Sequence, residues 1–533
     1  MTMRSRPWLL CALIAVLTAT LYFRALDEIP PHVSGDEVKF ATQAAALASS
    51  GRDLNGQRLP LFLTMTDPLI SNNSTNVWFQ PMLFYLIALT LKVAPLTEWS
   101  IRLPSALIGV LDVVLVFVLA RRLFAKVWQA ALAATLLALA PAHFIMSRVA
   151  ADYICSVPFT LAWLLCLVTF FQRRDVRLLF VAGLLLGAGF YSYIAAWVMM
   201  PLYVLLTVAV IWMAGERRIA AILAPVAGFA LPLSLFVLWS INHPAMLHDT
   251  LARYALIDPQ GPFGLSAGLP RSSNAVSRLS VYWDYFNPAY LFLAGGANLM
   301  DSTRRAGLFL LPAMAFVPCG VVALWTRRSE ISSRLILLGF VTAPVAATLL
   351  NERYCADREL FVLPFATLIC VEGAASLMAD RRTAARALAM ALCLAVPLHF
   401  AVFYRDYTTD YRARVVGWFD PFETSQVAEY VVSRDSAEPV PAVYLSTNME
   451  YMNVGGYRWR FQMLKHSRLD LWARTRYFAG PDSVSQLPAG SVIVFGGKDP
   501  LLEPSLETGQ SRIAKIVTDP SGGRAVVIVR AGP

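Results

Sequence analysis

The sequence predicts a polytopic α-helical membrane protein of about eleven spans, with a large first outer loop and a small α/β domain at its C-terminal end. Three observations predict it: the composition, the spacing of charge-free runs, and a change of pattern after residue 404. Of 533 residues, 57% are hydrophobic and 15% charged, with a mean hydropathy of +0.55. That leaves too little polar surface to cover a water-soluble body of this size.

About 20 apolar residues cross a bilayer core. Runs of that order lie near 8–23, 103–120, 127–146, 154–172, 178–194, 198–214, 219–241, 306–326, 335–351, 360–379 and 387–404. The stretch between Arg177 and Glu216 is too long for one crossing, so a hairpin around Tyr193–Trp197 divides it. The run FQPMLFYLIALTLKV, 79–93, is short and carries a proline near its start. It fits an interfacial or re-entrant helix.

Lys and Arg set the orientation, because cytoplasmic loops carry an excess of them. The clusters RSR near the N-terminus, 121–126, 173–177, 216–218, 327–334 and 380–382 fall in alternate loops, all of them then cytoplasmic. The outer face receives 24–102, 147–153, 242–305, 352–359 and the tail from Arg405. The first span reads as an anchor, since ALDEIPP offers no small-residue cleavage site. Residues 1–404 thus form the membrane domain. In the tail, 405–533, ETSQVAEYVVS has helical character, and AVYLSTN, SVIVFGG and RAVVIVR are β-rich runs separated by Gly, Pro and Asp.

The net charge of +10 comes from these short loop clusters, which argues against nucleic acid as a partner. The seven cysteines lie mostly inside apolar runs and outline no disulfide framework. The six histidines show no ligand spacing, and no two aspartates lie two apart, so neither a metal centre nor a metal-dependent nucleotide-sugar site is indicated. Tandem sequons begin at Asn72 and Asn73. Asp112, inside a predicted span, is costly in lipid and should face protein or water.

On the outer side, HVSGDEVKF places Asp36 and Glu37 just after the first span. A plain reading is a helix N-terminus, with Ser34 or Asp36 as cap before VKFATQAAALA. The loop SRVAADY holds Arg148 and Asp152 four apart, on one face if helical. NERYCADREL brings Arg353, Tyr354, Asp357, Arg358 and Glu359 to the outer boundary. Arginine there runs against the inside-positive bias and asks for an anionic partner. A lipid phosphate matches the guanidinium fork, and pairing within the loop is the alternative. Arg358, abutting the next span, is the first choice for phosphate, with Arg353 and Lys39 behind it; Arg304 and Arg305 could meet headgroups. Tyr191 and Tyr193, at the predicted hairpin, and Trp78 and Gln80 are candidates to line a sugar.

An N-terminal span followed by a loop carrying Asp-Glu, then SRVAADY, GLLLGAGFYSYIAAW and FNPAYLFLAGGANLMDSTRRAGLFLLP, resembles the bacterial branch of the polyprenyl-phosphate-dependent glycosyltransferases of GT-C fold. Protein O-mannosyltransferases and the aminoarabinose transferase of lipid A are of this kind. The resemblance covers roughly residues 1–405. It implies a GT-C fold in the bacterial inner membrane, a sugar donor carried on polyprenyl phosphate, and a lipid, glycan or protein acceptor. It further implies inversion at the anomeric carbon on the periplasmic face. By motif position Asp36 would be the general base, Glu37 its support and Asp152 a second acid; Arg148, Tyr191, Tyr193 and Tyr354 would contact substrate. Such chemistry needs a base for the acceptor proton and cations for the leaving phosphate, with membrane lipids around it and no organic cofactor.

Two other readings compete. A secondary transporter shows paired halves, broken helices and intramembrane charge, whereas here the outer loops are large and unequal. A non-enzymatic membrane assembly protein has no need of an outer acidic pair beside its first span.

Overall fold

The computed structural model describes residues 6–65, 77–253, 272–350, 352–449, 456–478, 480, 486–507, 511–519 and 522–532. The sequons at Asn72 and Asn73 lie outside the described residues.

Helices account for most of the first 408 positions. They are α1 (Arg6–Phe23), α2 (Gly35–Ser50), α3 (Pro81–Leu91), α4 (Glu98–Leu123), α5 (Val127–Ala138), α6 (Pro141–Met146), α7 (Val157–Arg173), α8 (Arg177–Gly189) and α9 (Ala196–Met213). Then follow α10 (Ile219–Asn242), α11 (Ala245–Arg253), α12 (Ser272–Asp284), α13 (Ala313–Thr326), α14 (Ile331–Thr342), α15 (Val345–Leu349), α16 (Val362–Ala379) and α17 (Thr383–Thr408). A small antiparallel ribbon, β1 (Leu63–Met65) with β2 (Val77–Phe79), sits in the first large loop.

Seven helical stretches among the described residues are long and apolar enough to cross a membrane: α4, α7 with the turn before it, α9, α10, α14 with α15, α16 and α17. Five apolar helices are shorter, α1, α3, α5, α8 and α13. Four segments read as full spans in the sequence, 8–23, 127–146, 178–194 and 306–326, therefore contain shorter helices. Pro141 splits the second, because its ring cannot continue the helix of α5. Turns between Thr303 and Pro312 delay α13 to Ala313. The segment 79–93 forms α3, an eleven-residue helix with Pro81 in its first turn.

Small residues let these helices approach closely. A Cβ on Gly183 of α8 would sit 2.0 Å from the Pro225 carbonyl oxygen of α10, and one on Gly228 would sit 2.1 Å from that of Phe180. The other flank of α10 exposes Leu223, Leu231, Leu235 and Leu238, a surface suited to lipid.

After α17 the chain builds a second core. α18 (Asp410–Phe419) still packs Tyr411, Val415 and Phe419 on the first core, and the helices of the second are α19 (Thr424–Ala437), α20 (Tyr457–Lys465), α21 (Leu469–Ala473) and α22 (Leu502–Glu507). Its strands are β3 (Val443–Ser446), β4 (Thr475–Phe478), β5 (Val492–Gly496), β6 (Ser511–Thr518) and β7 (Arg524–Ala531), in the order β4-β3-β5-β7-β6. β3 runs parallel to β4 and β5, and β7 antiparallel to β5 and β6. The inner strand β5, VIVFG, is buried throughout; such two-sided burial explains its unbroken apolar run.

Two buried arginines tie the membrane helices to the loops above them. Arg102 in α4 gives Nε to Glu37 Oε1 at 2.7 Å and Nη2 to Oε2 at 3.2 Å. Its remaining hydrogens reach the carbonyls of Leu26, Pro30 and His32. Arg148 donates to the carbonyls of Tyr22 (2.5 Å), Ala25 (3.0 Å) and Ile29 (2.8 Å), at the end of α1 and just past it. Both side chains are almost wholly buried. The second core joins this assembly where Arg458 Nη1 donates to the Val33 carbonyl (2.6 Å) and Lys465 pairs with Glu98 (2.6 Å).

Removing one partner of a buried pair strands the other charge, at a cost of about 3–5 kcal/mol. Arg102→Leu is therefore expected to lower the thermal unfolding midpoint strongly in detergent. Arg218→Leu, which breaks an exposed pair with Glu216, should leave the midpoint unchanged in the same measurement.

Candidate active site

Helix α2 begins at Ser34, which is extended (φ −70°, ψ 167°) and accepts the Glu37 N–H; Glu37 Oε2 in turn accepts the Ser34 N–H at 2.8 Å. This capping box satisfies two otherwise orphaned donors and puts both acids in the first turn, where the helix dipole favours negative charge. The helix stops at Gly51, whose φ of +68° suits a residue without Cβ.

The capping box divides the pair. Glu37 is fully buried and accepts from Arg102, Ser34 and, at 2.9 Å, the Ala150 N–H of the second loop. Every direction around its carboxylate is occupied, so its place is structural support. Asp36 is 40% exposed in its side chain. Lys39 Nζ reaches its Oδ1 at 3.0 Å and the Tyr153 hydroxyl its Oδ2 at 2.7 Å.

From Asp36 a chain of contacts crosses to the loop before α16. Tyr153 packs edge-on against Tyr193, with ring centroids 5.5 Å apart, and the Tyr193 hydroxyl donates to Asp357 Oδ2 at 2.8 Å. Arg358 Nε lies 2.6 Å from Glu352 Oε2 and 3.9 Å from Asp357. Asp152 is buried in the field of Asp36, Asp357 and Arg358. Four segments distant in sequence thus meet: α2, the turn Asp152–Ser156, the hairpin after α8, and the turn Ala356–Arg358.

A fourth aspartate joins them. Asp301, in the turn-rich segment after Gly295, is buried, and burial first, then the Asp357 and Asp36 carboxylates, push its pKa well up. Asp357 is also raised, by burial, against the opposing pull of Arg358 and the Tyr193 hydroxyl. Glu359 is raised by burial as well. The site holds many carboxyls, but burial disfavours their anionic forms.

The other candidates are placed as follows. Lys39 serves Asp36 and lies over the Phe79 ring. Arg353 pairs with Asp284 at 2.7 Å, with its side chain half exposed, and Tyr354, at φ +57°, leans on Tyr290. Two residues stand apart from the acids. Arg148 makes no pair with Asp152, because the carbonyls around the end of α1 take its guanidinium. Tyr191 donates to the Pro232 carbonyl of α10 at 2.7 Å, since three consecutive turn residues cannot all face one side. Gln80 accepts from Trp197, Trp78 donates to Asp249, and Arg305 pairs with Asp406 and Asp410. Asp112 meets His143 at 3.3 Å in the interior, and His143 meets the Tyr22 hydroxyl.

Tyr153 and Asp301 were not singled out in the sequence, although both sit in loops that were. An acid in LMDSTRRAG and a phenol beside Asp152 were the available signals. Arg102, in the second turn of α4 and one residue before the predicted span, gave none, because its partner lies 65 residues away.

A carboxyl whose folded pKa is raised adds stability below the ordinary carboxylate range and loses it as pH rises through the folded value. Stability should therefore fall with rising pH over the window opened by Asp301. Asp301→Asn, which cannot ionise, should flatten that part of a plot of unfolding midpoint against pH.

Comparison with known proteins gives two kinds of likeness. Residues 80–241 match the family model described as dolichyl-phosphate-mannose-protein mannosyltransferase, and no curated protein matches the chain. The crystal structure of ArnT from Cupriavidus metallidurans in the apo state superposes with a TM-score of 0.56 at 14% identity, covering 98% of each chain. The same protein bound to undecaprenyl phosphate gives 0.50 at 13% identity, covering 97% of each. The Saccharomyces cerevisiae protein O-mannosyltransferase Pmt1-Pmt2 complex bound to the sugar donor gives 0.35 at 18% identity, over 50% of this chain and 38% of that one. Over nearly its whole length, then, this chain has the GT-C fold of a multi-pass membrane protein.

Proposed function

We propose that this protein is an inverting glycosyltransferase that moves a sugar from a polyprenyl-phosphate carrier to a lipid, glycan or protein acceptor on the periplasmic face of the inner membrane. The observation that carries this is the division within the acidic pair: Glu37 is locked into a buried arginine, while Asp36 stands half exposed where four segments meet. The matched mannosyltransferase family model and the fold shared with ArnT, which has been seen bound to undecaprenyl phosphate, support a lipid-carried donor.

In this reading Asp36 takes the proton of the acceptor hydroxyl as its oxygen attacks the anomeric carbon. The bond from that carbon to the phosphate oxygen breaks on the opposite face, and the phosphate leaves with the electron pair. Lys39 and Tyr153 hold the Asp36 carboxylate in one orientation. In the same reading Arg358 forks the departing phosphate, with Arg353 and Tyr354 on the same loop, and Asp152 and Tyr193 contact the sugar between. Burial raises the pKa of Asp301 and Asp357, a direction that disfavours added negative charge beside an anionic donor. The basic clusters after α4, α7 and α16 lie at the far ends of those helices from this site, which supports an outward-facing site under the inside-positive bias.

A general base contributes about 10²–10⁴-fold. In a transfer assay with polyprenyl-phosphate-linked sugars, Asp36→Asn should lower kcat by that order and leave the donor KM and the unfolding midpoint near the parent values. Full activity of Asp36→Asn would remove Asp36 from the base role. Arg358→Ala should raise the donor KM at least tenfold; an unchanged KM would move the phosphate elsewhere.

A further inference from the structure

Away from the acids of the candidate site, a cleft of about 700 Å³ opens between the chain segment after α1 and the helices of the C-terminal domain. One wall carries Asp27, Glu28, His32 and Val33, the other Asp420, Glu423, Glu429 and Gln462, with Glu98 at the start of α4. Its volume is that of a small-molecule site.

The charges in this cleft do not cancel. Lys465 takes Glu98 through both oxygens, at 2.6 and 2.9 Å. Asp420 is occupied at the start of α19 by the Thr424 N–H and hydroxyl. His32 Nε2 lies 3.3 Å from Glu423 Oε2. Asp27, Glu28 and Glu429 have no ion pair among the described residues, and Arg412 is the remaining lining cation.

A second observation is independent of the charge. Glu423 and Gln462 are each 3% exposed, and each keeps one side-chain oxygen, Oε1, with no hydrogen-bond donor among the described residues. A buried acceptor without a donor costs about 1–3 kcal/mol. Two of them on one wall of an anionic cleft call for a ligand rich in N–H groups. His32 and Glu423 also hold left-handed backbone, at φ +60° and +47°; strained residues of this kind concentrate at ligand clamps.

We propose that this cleft binds a primary ammonium group, carried either by a soluble polyamine or by a lipid headgroup at the membrane surface. Excess carboxylate supplies the charge complement, and the Glu423 and Gln462 oxygens accept the ammonium N–H bonds, which a quaternary ammonium cannot offer. The binding does not depend on the transfer reading, since Asp36 does not line the cleft.

The test uses the full chain. Titration with spermidine in detergent is expected to be saturable, and native mass spectrometry to show phosphatidylethanolamine retained over phosphatidylcholine, if the source is lipid. Either result supports the site, and competition between spermidine and the lipid identifies one shared site. Glu28→Gln with Glu429→Gln, both exposed and foldable, should weaken binding at least tenfold, as should Gln462→Leu. Asp36→Asn should bind as the parent does while losing transfer, which separates this proposal from the enzymatic one. No saturable binding of either probe, equal retention of both lipids without spermidine binding, or unchanged binding in both variants overturns it.

Discussion

The buried pair of Glu37 with Arg102 is the constraint on which the rest of the arrangement depends. A bidentate ion pair in the interior stays stable only when every lone pair and proton around it is satisfied. Here the guanidinium also gathers three carbonyls of the loop after α1, and the carboxylate gathers two backbone N–H groups from Ser34 and Ala150. One pair therefore fixes α4, the first loop and the second loop at once. Asp36 inherits its position from its neighbour.

This explains why adjacent carboxylates carry different tasks. Successive residues of a helix point about 100° apart, so when Glu37 turns inward Asp36 must face another direction. The first faces a buried cation and is consumed by structure. The second faces Tyr153, Lys39 and open space. Arg148 does for the end of α1 what Arg102 does for the loop. Both arginines offer five donors in a rigid fork to a cluster of carbonyls, which is why a residue so costly to bury is found at less than 2% exposure.

The fold was legible where the signal is local. Charge-free runs gave the positions of α4, α7, α9, α10, α16 and α17, and turn residues between apolar runs marked strands β3, β5 and β7. Where the reading differed, the cause is equally concrete. Pro141 divides one predicted span, and an irregular turn before Pro312 shortens another. The site was half legible: Asp36, Asp152, Tyr193, Asp357 and Arg358 converge, whereas Arg148 and Tyr191 lie elsewhere. A loop quoted as one motif distributes its side chains to several faces, and the motif does not say which.

By itself the sequence determined a membrane chain with basic clusters in alternate loops, and an acidic pair and further arginines in the loops between. Hydropathy, charge and capping act over a few residues and can be read in order. Tertiary structure alone decided which acid is buried, which is exposed and what stands opposite. Those facts rest on contacts between residues far apart in the chain, 117 positions for Tyr153 with Asp36 and 164 for Tyr193 with Asp357. Such contacts form only when the helices between them have packed, and no local pattern encodes that packing.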